Sequence, residues 1–488
     1  MRREFILNIL FLVMINLIIK PFYTFFIETD VQNLLGPASY GVYFSLFNLS
    51  YILQIVLDMG IHNYGSQYLA KGETDSNRFL SLALTTKGIL MLLFAFTIVF
   101  VSFALSYDPQ LRNLLYFISL NQVFISLIFF FRSSLAAIGY YRMNSIVSVL
   151  DKLLMIIGFI YVLHISSEWR ANFDVMGFIG IRMMSYALTA IIAFLLIYIV
   201  GKRKLHCYFN KEEVWHLMRK SLPFAVIVIF MGLSNRTDAV MLERMLADNG
   251  LQSGIYAAAY RIFYSLNTIG FLFSMLLLPM FATLLIKDRR ELHNLIDLSL
   301  KSILLLSVGA VAIVYILRYP IMDTLYKNDA SLYGTDILMT LCFTFILSSI
   351  VYILGTLLTA NAQLKYLNIL FVLSTAVNII INALLIPKYG AHGAAIATLT
   401  THSVVVLGQI ALCYWIVPLR MRWENIFCII GFICSIGIIT FYSDTLFQPI
   451  LLRCFIVVLS ILLLSIVLKM IDLKLVYRLL TNPTEVQE

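Results

Sequence analysis

Long apolar stretches recur along the whole chain and are interrupted by short polar segments. About 20 apolar residues in a helix cross the hydrocarbon core of a bilayer. A transmembrane barrel would instead show ~10-residue segments of alternating polarity. The pattern predicts an all-α, polytopic membrane protein with fourteen transmembrane helices, at residues 5–27, 40–62, 79–106, 111–137, 143–166, 175–200, 216–240, 253–285, 292–317, 335–360, 366–388, 391–417, 423–443 and 448–470.

The composition agrees with this class of protein. Of the 488 residues, 61% are hydrophobic and only 12% are charged, which is much less charge than a soluble domain carries. The six cysteines form no CxxC pair, so we expect neither a disulfide framework nor a metal site. The chain contains no GxxxxGK(S/T) phosphate loop. We therefore expect no cofactor.

The distribution of basic residues predicts the orientation of the helices. Cytoplasmic loops of membrane proteins carry an excess of Lys and Arg. With the N-terminus inside, the inner segments contain 20 of the 35 basic residues and the outer segments contain seven. Both termini are therefore predicted to be cytoplasmic. Because the net charge of +9 follows from this asymmetry, we expect membrane lipids as partners and no nucleic acid.

Two halves of the chain resemble each other. The segment GVYFSLFNLSY (41–51) matches GIYAAAYRIFY (254–264), and three more pairs follow in the same order at offsets of 213 to 224 residues. Each half holds six helices, so the two copies have the same orientation, as in transporters with a substrate site between two repeats. The predicted domains are an N-terminal six-helix lobe, a cytoplasmic linker, a C-terminal six-helix lobe, and two additional helices with a cytoplasmic tail, at 1–200, 201–215, 216–417 and 418–488.

Glycines begin the sixth helix of each half. These are Gly177 and Gly180 in the first half, and Gly390 and Gly393 in the second. Small residues at this spacing allow helices to approach closely. Pro387, just before the second pair, predicts that the preceding helix stops before a tight turn.

Charged residues also lie inside the predicted spans, eight of them basic, with only three acidic residues at comparable depth. A charge at the bilayer centre costs at least ~2.5–3.5 kcal/mol, so these side chains are expected to face a wet cavity or a partner. The cations predicted to bind substrate are Arg261, Arg236, Lys301, Lys87, Arg182 and Lys152, and the candidates for ion coupling are Asp238, Asp58 and Asp151. Since guanidinium groups bind phosphate oxygens through two hydrogen bonds, an unpaired cationic cavity would suit an anionic headgroup.

The chain resembles polysaccharide flippases of the multidrug/oligosaccharidyl-lipid/polysaccharide exporter superfamily in three segments, LGPASYGVYFSLFNLSYILQIVLDMGI (35–61), GIYAAAYRIF (254–263) and NALLIPKYGAHGAAIAT (382–398). The resemblance covers about residues 1–417. It implies two lobes around a central cavity that alternates its access, in the bacterial inner membrane, with transport driven by a proton or sodium gradient. It also implies flipping of an undecaprenyl-pyrophosphate-linked oligosaccharide from the cytoplasmic to the outer leaflet for lipopolysaccharide O-antigen, capsule or exopolysaccharide, alongside a polysaccharide polymerase and assembly proteins.

Three other functions stay open. Lipid II flippases share fourteen helices and a cationic cavity. Cation-coupled multidrug exporters need acidic cavities, and eight basic against three acidic residues disfavour them. A membrane glycan polymerase or ligase needs a large outer loop or catalytic carboxylates, whereas the longest outer connections, 167–174 and 318–334, are short and no HExxH or GxSxG occurs. We therefore expect no catalytic residue and no enzyme activity.

Overall fold

The computed structural model describes residues 14–16, 18–70, 76–200, 206, 208–326, 332–417 and 423–470. They form two compact units, Met1–Ala257 and Ala258–Glu488. Every regular element among the described residues is helical, so the prediction of an all-α protein is confirmed.

The first unit contains ten described helices. They are α1 (Glu28–Leu35), α2 (Pro37–Leu53), α3 (Ile55–Asp58), α4 (Ile61–Ala70), α5 (Ser76–Ala104), α6 (Pro109–Ala137), α7 (Tyr141–Ile160), α8 (Ser167–Ala171), α9 (Val175–Leu195) and α10 (Lys211–Met245). Single π-helical turns precede α1 and extend α7 and α9, at Tyr23–Ile27, Tyr161–Ile165 and Leu196–Val200. The next helix, α11 (Leu251–Lys287), begins in the first unit and ends in the second.

The second unit continues with five further helices, α12 (Arg289–Leu325), α13 (Leu332–Ala360), α14 (Leu364–Ile416), α15 (Trp423–Leu446) and α16 (Ile450–Val467). Helix α13 packs between α12 and α14, while α15 and α16 pack together against α12. Buried Ile303, Leu354 and Leu357 belong to one apolar core. Phe432 and Ile436 belong to another, which joins the last two helices to α12.

Eleven helices of the described chain are long and apolar enough to cross a membrane, and the chain is a multi-pass membrane protein. Three differences explain why these helices number eleven and the predicted spans fourteen. Much of the first span, 5–27, lies outside the described residues. The seventh, 216–240, lies within α10, which is not among the eleven. The eleventh and twelfth are counted together as α14, whose two helical segments meet at a kink with non-helical backbone at Gly390.

The second predicted span, 40–62, is not a single helix. It is interrupted at Gln54 and again after Asp58, where Met59 and Gly60 adopt φ angles of 45° and 80°. A left-handed conformation is uncommon for a residue with a side chain. The polypeptide therefore turns at this point into α4, and the carbonyl of Leu57 and the carboxylate of Asp58 lie at the turn.

Close backbone packing explains several glycines. Helix α14 bends at Gly390, which has φ 56°, and a Cβ atom at Gly393 would lie 2.5 Å from the Leu385 carbonyl oxygen. The tight turn predicted after Pro387 is therefore present. At Gly180, in contrast, a Cβ atom would meet no atom within 4 Å, so the prediction of close approach is wrong there.

The repeat itself has a packing role within the first unit. Gly41 and Gly254 are the first residues of the two matching segments. A Cβ atom at Gly41 would lie 2.5 Å from the backbone nitrogen of Gly254, and one at Gly254 would lie 1.9 Å from the Pro37 carbonyl oxygen. The two equivalent glycines thus pack against each other at the start of α2 and of α11.

Aromatic rings fill the interior of the first unit. Helix α9 packs against α6 and α7. The rings of Tyr43 and Phe178 are 4.7 Å apart in an edge-to-face arrangement, and those of Phe159 and Phe178 are 5.4 Å apart. All three side chains are buried. Large apolar side chains on the outer face of α5, such as Leu92 and Phe96, are exposed, as expected for a surface in contact with lipid tails.

The boundary between the units lies at residue 257, not at the predicted linker 201–215. Helix α10, predicted to begin the second lobe, packs against α2 and α4 of the first unit. The predicted domains describe the sequence repeat, and they stay a prediction.

Candidate functional site

Arg182 is the centre of a charged cluster in the interior of the first unit. The side chain of Asp174 accepts a hydrogen bond of 2.8 Å from the Gly177 amide and so fixes the start of α9. Residues four apart on a helix share a face, and Arg182 NH2 donates to the Tyr186 hydroxyl at 3.1 Å. Its NH1 lies 3.3 Å from Glu28 Oε1, so Arg182 has a carboxylate partner.

Four aromatic rings surround this guanidinium. Its Cζ atom lies 5.2 to 5.8 Å from the ring centroids of Tyr43, Phe47, Phe178 and Tyr186. A desolvated cation over an aromatic face gains about 2 kcal/mol. The Nε of Arg182 is buried without a hydrogen-bond partner among the described residues. The rings and Glu28 thus hold a charge that is only 5% exposed.

Lys152 lies beside this cluster. Its Nζ is 4.7 Å from the ring centroid of Tyr23 and 3.5 Å from the Tyr186 hydroxyl oxygen. Asp151 Oδ2 is 3.5 Å from the same nitrogen. The hydroxyl of Tyr23 is buried and makes no hydrogen bond with a described residue. Arg182 and Lys152 therefore lie in one aromatic cluster, together with two carboxylates.

Lys87 forms a second cluster at the interruption of the second span. Its fully buried Nζ donates to the Leu57 carbonyl at 3.1 Å, to Asp58 Oδ1 at 2.8 Å and to Ser126 Oγ at 2.9 Å. An ammonium group has three donors, and each of them has an acceptor here. His62 Nδ1 lies 2.5 Å from the other Asp58 oxygen. Through these hydrogen bonds, Lys87 links α5 and α6 to the turn after α3.

Arg236 has a different environment, between α10 and α2. It is half-buried, donates to Asn48 Oδ1 at 3.0 Å, and lies with its Cζ 4.6 Å from the ring centroid of Tyr51. Asp238, two residues later, is buried and accepts a hydrogen bond of 2.9 Å from the Tyr256 hydroxyl. Arg236 and Asp238 therefore have separate partners, as the helical spacing predicts.

The two remaining predicted cations belong to the second unit. Arg261 is 7% exposed, and its NH1 donates to the Tyr326 hydroxyl at 2.7 Å. Lys301 Nζ donates to Asn425 Oδ1 on α15 at 2.8 Å and to the Lys469 carbonyl at 3.3 Å. Lys301 therefore contacts α15 and the residues that follow α16.

The expectation that the predicted cations are unpaired is wrong for three of them. Arg182, Lys87 and Lys152 each have a carboxylate oxygen within 3.5 Å. The physical reason is the cost of an isolated charge in a low-dielectric interior, which a nearby carboxylate reduces.

Several partners were missed by sequence reasoning. Glu28 lies one residue after the predicted span 5–27 and was not counted among the intramembrane acids. Asn48, Tyr51 and Ser126 are polar or aromatic residues within apolar helices, where composition alone gives no signal. Two of the contacts have a signal in the sequence. Arg182 and Tyr186, like Asp58 and His62, are four residues apart, a spacing at which side chains on a helix meet.

Tyr107 and Glu243 form a titratable pair outside the predicted spans. The Tyr107 hydroxyl, in the turn between α5 and α6, donates to Glu243 Oε2 at 3.0 Å, and Arg244 lies over the Tyr107 ring at 5.0 Å. Burial raises the pKa of Glu243 above its usual range, and burial likewise raises the pKa of Tyr107. This pair joins the α5–α6 turn to the end of α10.

A protein-family model matches more than half of the chain. A family model described as "polysaccharide biosynthesis protein" matches residues 5–285. No curated protein sequence matches the chain significantly. Among the described residues, no group of three His, Cys, Asp or Glu side chains could hold a metal ion.

Solved structures of membrane transporters share the fold at low sequence identity. The lipid II flippase MurJ, in an inward closed conformation, matches with a TM-score of 0.75 and 17% identity over 94% of this chain and 98% of that chain. An inward-facing multidrug resistance MATE family transporter of the MOP superfamily matches with a TM-score of 0.64 and 13% identity over 81% and 95%. A MOP superfamily transporter from Pyrococcus furiosus, reported to have a binding pocket of reverse polarity, matches with a TM-score of 0.58 and 14% identity over 85% and 96%.

Proposed function

The chain belongs to the polysaccharide biosynthesis protein family, and we propose that it is a flippase for a lipid-linked oligosaccharide. The proposed substrate is an undecaprenyl-pyrophosphate-linked repeat unit of O-antigen, capsule or exopolysaccharide, moved from the cytoplasmic to the outer leaflet. The fold supports transport, because the solved structures that share it are flippases and transporters. We further propose that the chain is not an enzyme and that it works in the bacterial inner membrane with both termini in the cytoplasm.

The observation that carries this proposal is the position of Arg236. It is a guanidinium within the predicted span 216–240, it is half-buried, and it contacts an amide and an aromatic ring. A guanidinium can bind two phosphate oxygens in one plane, and an aromatic face such as that of Tyr51 can stack on a sugar ring. We propose that Arg236 binds the pyrophosphate, with Asn48 and Tyr51 holding its orientation.

The other predicted cations receive different roles in this proposal. Arg182 and Lys152 each have a carboxylate partner, Glu28 and Asp151, so their cluster carries no net charge, and their role in this proposal is to hold the interior of the first unit together. Arg261 is a second candidate for binding phosphate, beside Tyr326. Lys87 and Lys301 hold helices together through the contacts described above, and we no longer propose that they bind substrate.

Complementation tests the proposal. In a strain that lacks its own polysaccharide flippase, wild-type protein should restore surface polysaccharide, Arg236→Ala should fail, and Arg236→Lys should restore only part of it, because Lys cannot make the bidentate contact. Arg170→Ala, a change at an exposed residue of α8, is the matched control and should behave as wild type. Normal polysaccharide with Arg236→Ala, at equal membrane abundance, would remove Arg236 from the site.

A lipid II flippase is the second candidate function. It is favoured by the match to MurJ, which covers 94% of this chain. Lipid II also carries a pyrophosphate, so the same cation would serve. Rescue of a strain depleted of its lipid II flippase, without rescue of surface polysaccharide, would establish this alternative in place of the first.

We propose that transport is coupled to protons or sodium ions. The candidates are Asp58, Asp151 and Asp238, and His62 Nδ1 is a partner of the Asp58 carboxylate. Flipping by protein reconstituted in sealed vesicles should change when the pH gradient or the sodium gradient is imposed. A rate that responds to neither gradient would exclude coupling.

A further inference from the structure

Hydrogen bonds attach the residues that precede α10 to the beginning of α5 in the first unit. The His206 amide donates to Ser81 Oγ at 3.1 Å, and the Tyr208 amide donates to Thr85 Oγ1 at 3.2 Å. Arg78 forms an ion pair with Glu213 and donates to the Tyr208 hydroxyl at 2.8 Å. Three positions on one face of α5 thus hold the described part of this segment in place.

The depth of this attachment follows from the exposed surface of α5. Its large exposed apolar side chains begin at Ile89 and continue to Phe103. At 1.5 Å per residue, Thr85 lies ~6 Å and Arg78 lies ~16 Å before Ile89 along the helix. The polar layer on each side of a bilayer begins where its hydrocarbon core ends and is roughly 5–8 Å thick. Thr85 therefore lies within the headgroup layer and Arg78 on its aqueous side, so the attached segment lies at the boundary between the lipid headgroups and water.

The first three turns of α10 have two different faces. Leu217 is buried, and Val214 and Met218 pack against the core of the first unit. On the opposite face, Lys211, Trp215 and Arg219 follow one another at a spacing of four residues. Such a spacing aligns them in one row, and Trp215 is 70% exposed.

This exposed face carries aromatic and basic side chains and one exposed carboxylate, Glu212, so three basic residues against one acid leave it net positive. Lys220 is exposed beside Arg219, and Phe209, just before the helix, is 60% exposed. None of Lys211, Arg219 and Lys220 makes an ion pair with a described residue. Tryptophan prefers the headgroup level, and basic residues close to a membrane helix attract anionic lipids.

We propose that this face, formed by Phe209, Lys211, Trp215, Arg219 and Lys220, is a binding site for the phosphate headgroups of anionic phospholipids. The charge is complementary, the segment borders the headgroup layer, and the exposed tryptophan suits that layer better than it suits an aqueous protein surface. The attachment to α5 keeps the face in a fixed position, so that lipid binding does not have to order the segment first. The inference does not depend on the proposed transport activity.

Fluorescence quenching of Trp215 tests this site. The full chain with Trp169→Phe, Trp415→Phe and Trp423→Phe has Trp215 as its sole tryptophan, and it is reconstituted in nanodiscs with brominated phosphatidylglycerol or brominated phosphatidylcholine. Each basic residue near the surface should enrich anionic lipid about fivefold, or on the order of 100-fold for three at low salt. We expect stronger quenching by phosphatidylglycerol, with the difference lost at high salt.

The matched variants locate the effect. The triple change Lys211→Gln, Arg219→Gln and Lys220→Gln should abolish the preference, whereas Arg289→Gln with Arg290→Gln, two exposed basic residues at the start of α12, should preserve it. Equal quenching of Trp215 by both lipids at low salt would overturn the proposal and would leave an acidic protein as the partner of this face. A preference that survives the triple change would overturn it as well. The salt comparison uses unchanged basic residues, so it does not depend on how the triple variant folds.

Discussion

Replacing Lys87 by methionine separates a structural role from a substrate-binding role. Methionine has a similar length and no charge, so Lys87→Met removes the ammonium and leaves the space filled. The Leu57 carbonyl and the Ser126 hydroxyl lose a donor, and Asp58 loses the cation at 2.8 Å. The turn after α3 then has a buried carboxylate with His62 as its remaining described partner.

The size of the effect follows from the burial of the pair. Lys87 has no exposed side-chain surface and that of Asp58 is 14% exposed. Removing one partner of a buried ion pair costs about 3–5 kcal/mol, mainly because the other charge is left uncompensated. Since His62 still lies at Asp58, we expect a loss near the lower end, about 3 kcal/mol. A lysine facing a water-filled cavity would contribute no more than about 1 kcal/mol, as exposed ion pairs do.

The measurement is the free energy of unfolding in mixed micelles of increasing SDS content. The double variant Lys87→Met with Asp58→Asn removes both charges and should regain much of the loss, because no charge is left buried alone. A single variant within about 1 kcal/mol of wild type, or a double variant no more stable than the single one, would refute the assignment of Lys87 to the fold.

Three further predictions concern other contacts. Glu28→Gln should lower the thermal stability, because it removes the carboxylate that pairs with Arg182, and adding Arg182→Met should restore part of that stability. A double variant less stable than Glu28→Gln would contradict this pairing. Lys301→Met should increase hydrogen exchange of α15 and leave α9 unchanged, as measured by mass spectrometry, because Lys301 donates to Asn425. Burial raises the pKa of Glu243, so the folded state keeps this proton to higher pH than the unfolded chain does, and the contribution of Glu243 to stability falls as the pH rises above about 4. Glu243→Gln should therefore make the melting temperature depend less on pH in that range. A variant with the same dependence as wild type would exclude the effect.

The hydrophobic pattern was sufficient to predict the helices, because a span needs a run of apolar residues of a set length. The interruption of the second span was not predicted. Its residues, Gln54 to Gly60, lie inside the predicted span 40–62, and Met59 has no preference for a left-handed conformation. The turn depends on the buried Lys87 from another helix, which the local sequence does not contain.

The intramembrane charges were found from the sequence, but their partners were not. Arg182 and Glu28 are 154 residues apart, and Lys301 and Asn425 are 124 residues apart. Pairing at such separations is set by helix packing, which a single sequence does not encode in a readable way.

Flipping of a purified substrate tests the central claim most directly. Wild-type protein and Arg236→Ala are reconstituted in vesicles whose inner leaflet contains an undecaprenyl-pyrophosphate-linked oligosaccharide, and its arrival in the outer leaflet is measured with a lectin. The account predicts movement by wild-type protein, almost none with Arg236→Ala, and no movement of the same oligosaccharide on an uncharged lipid. Equal transport by the wild-type protein and Arg236→Ala, or equal transport of the charged and uncharged lipids, would contradict it.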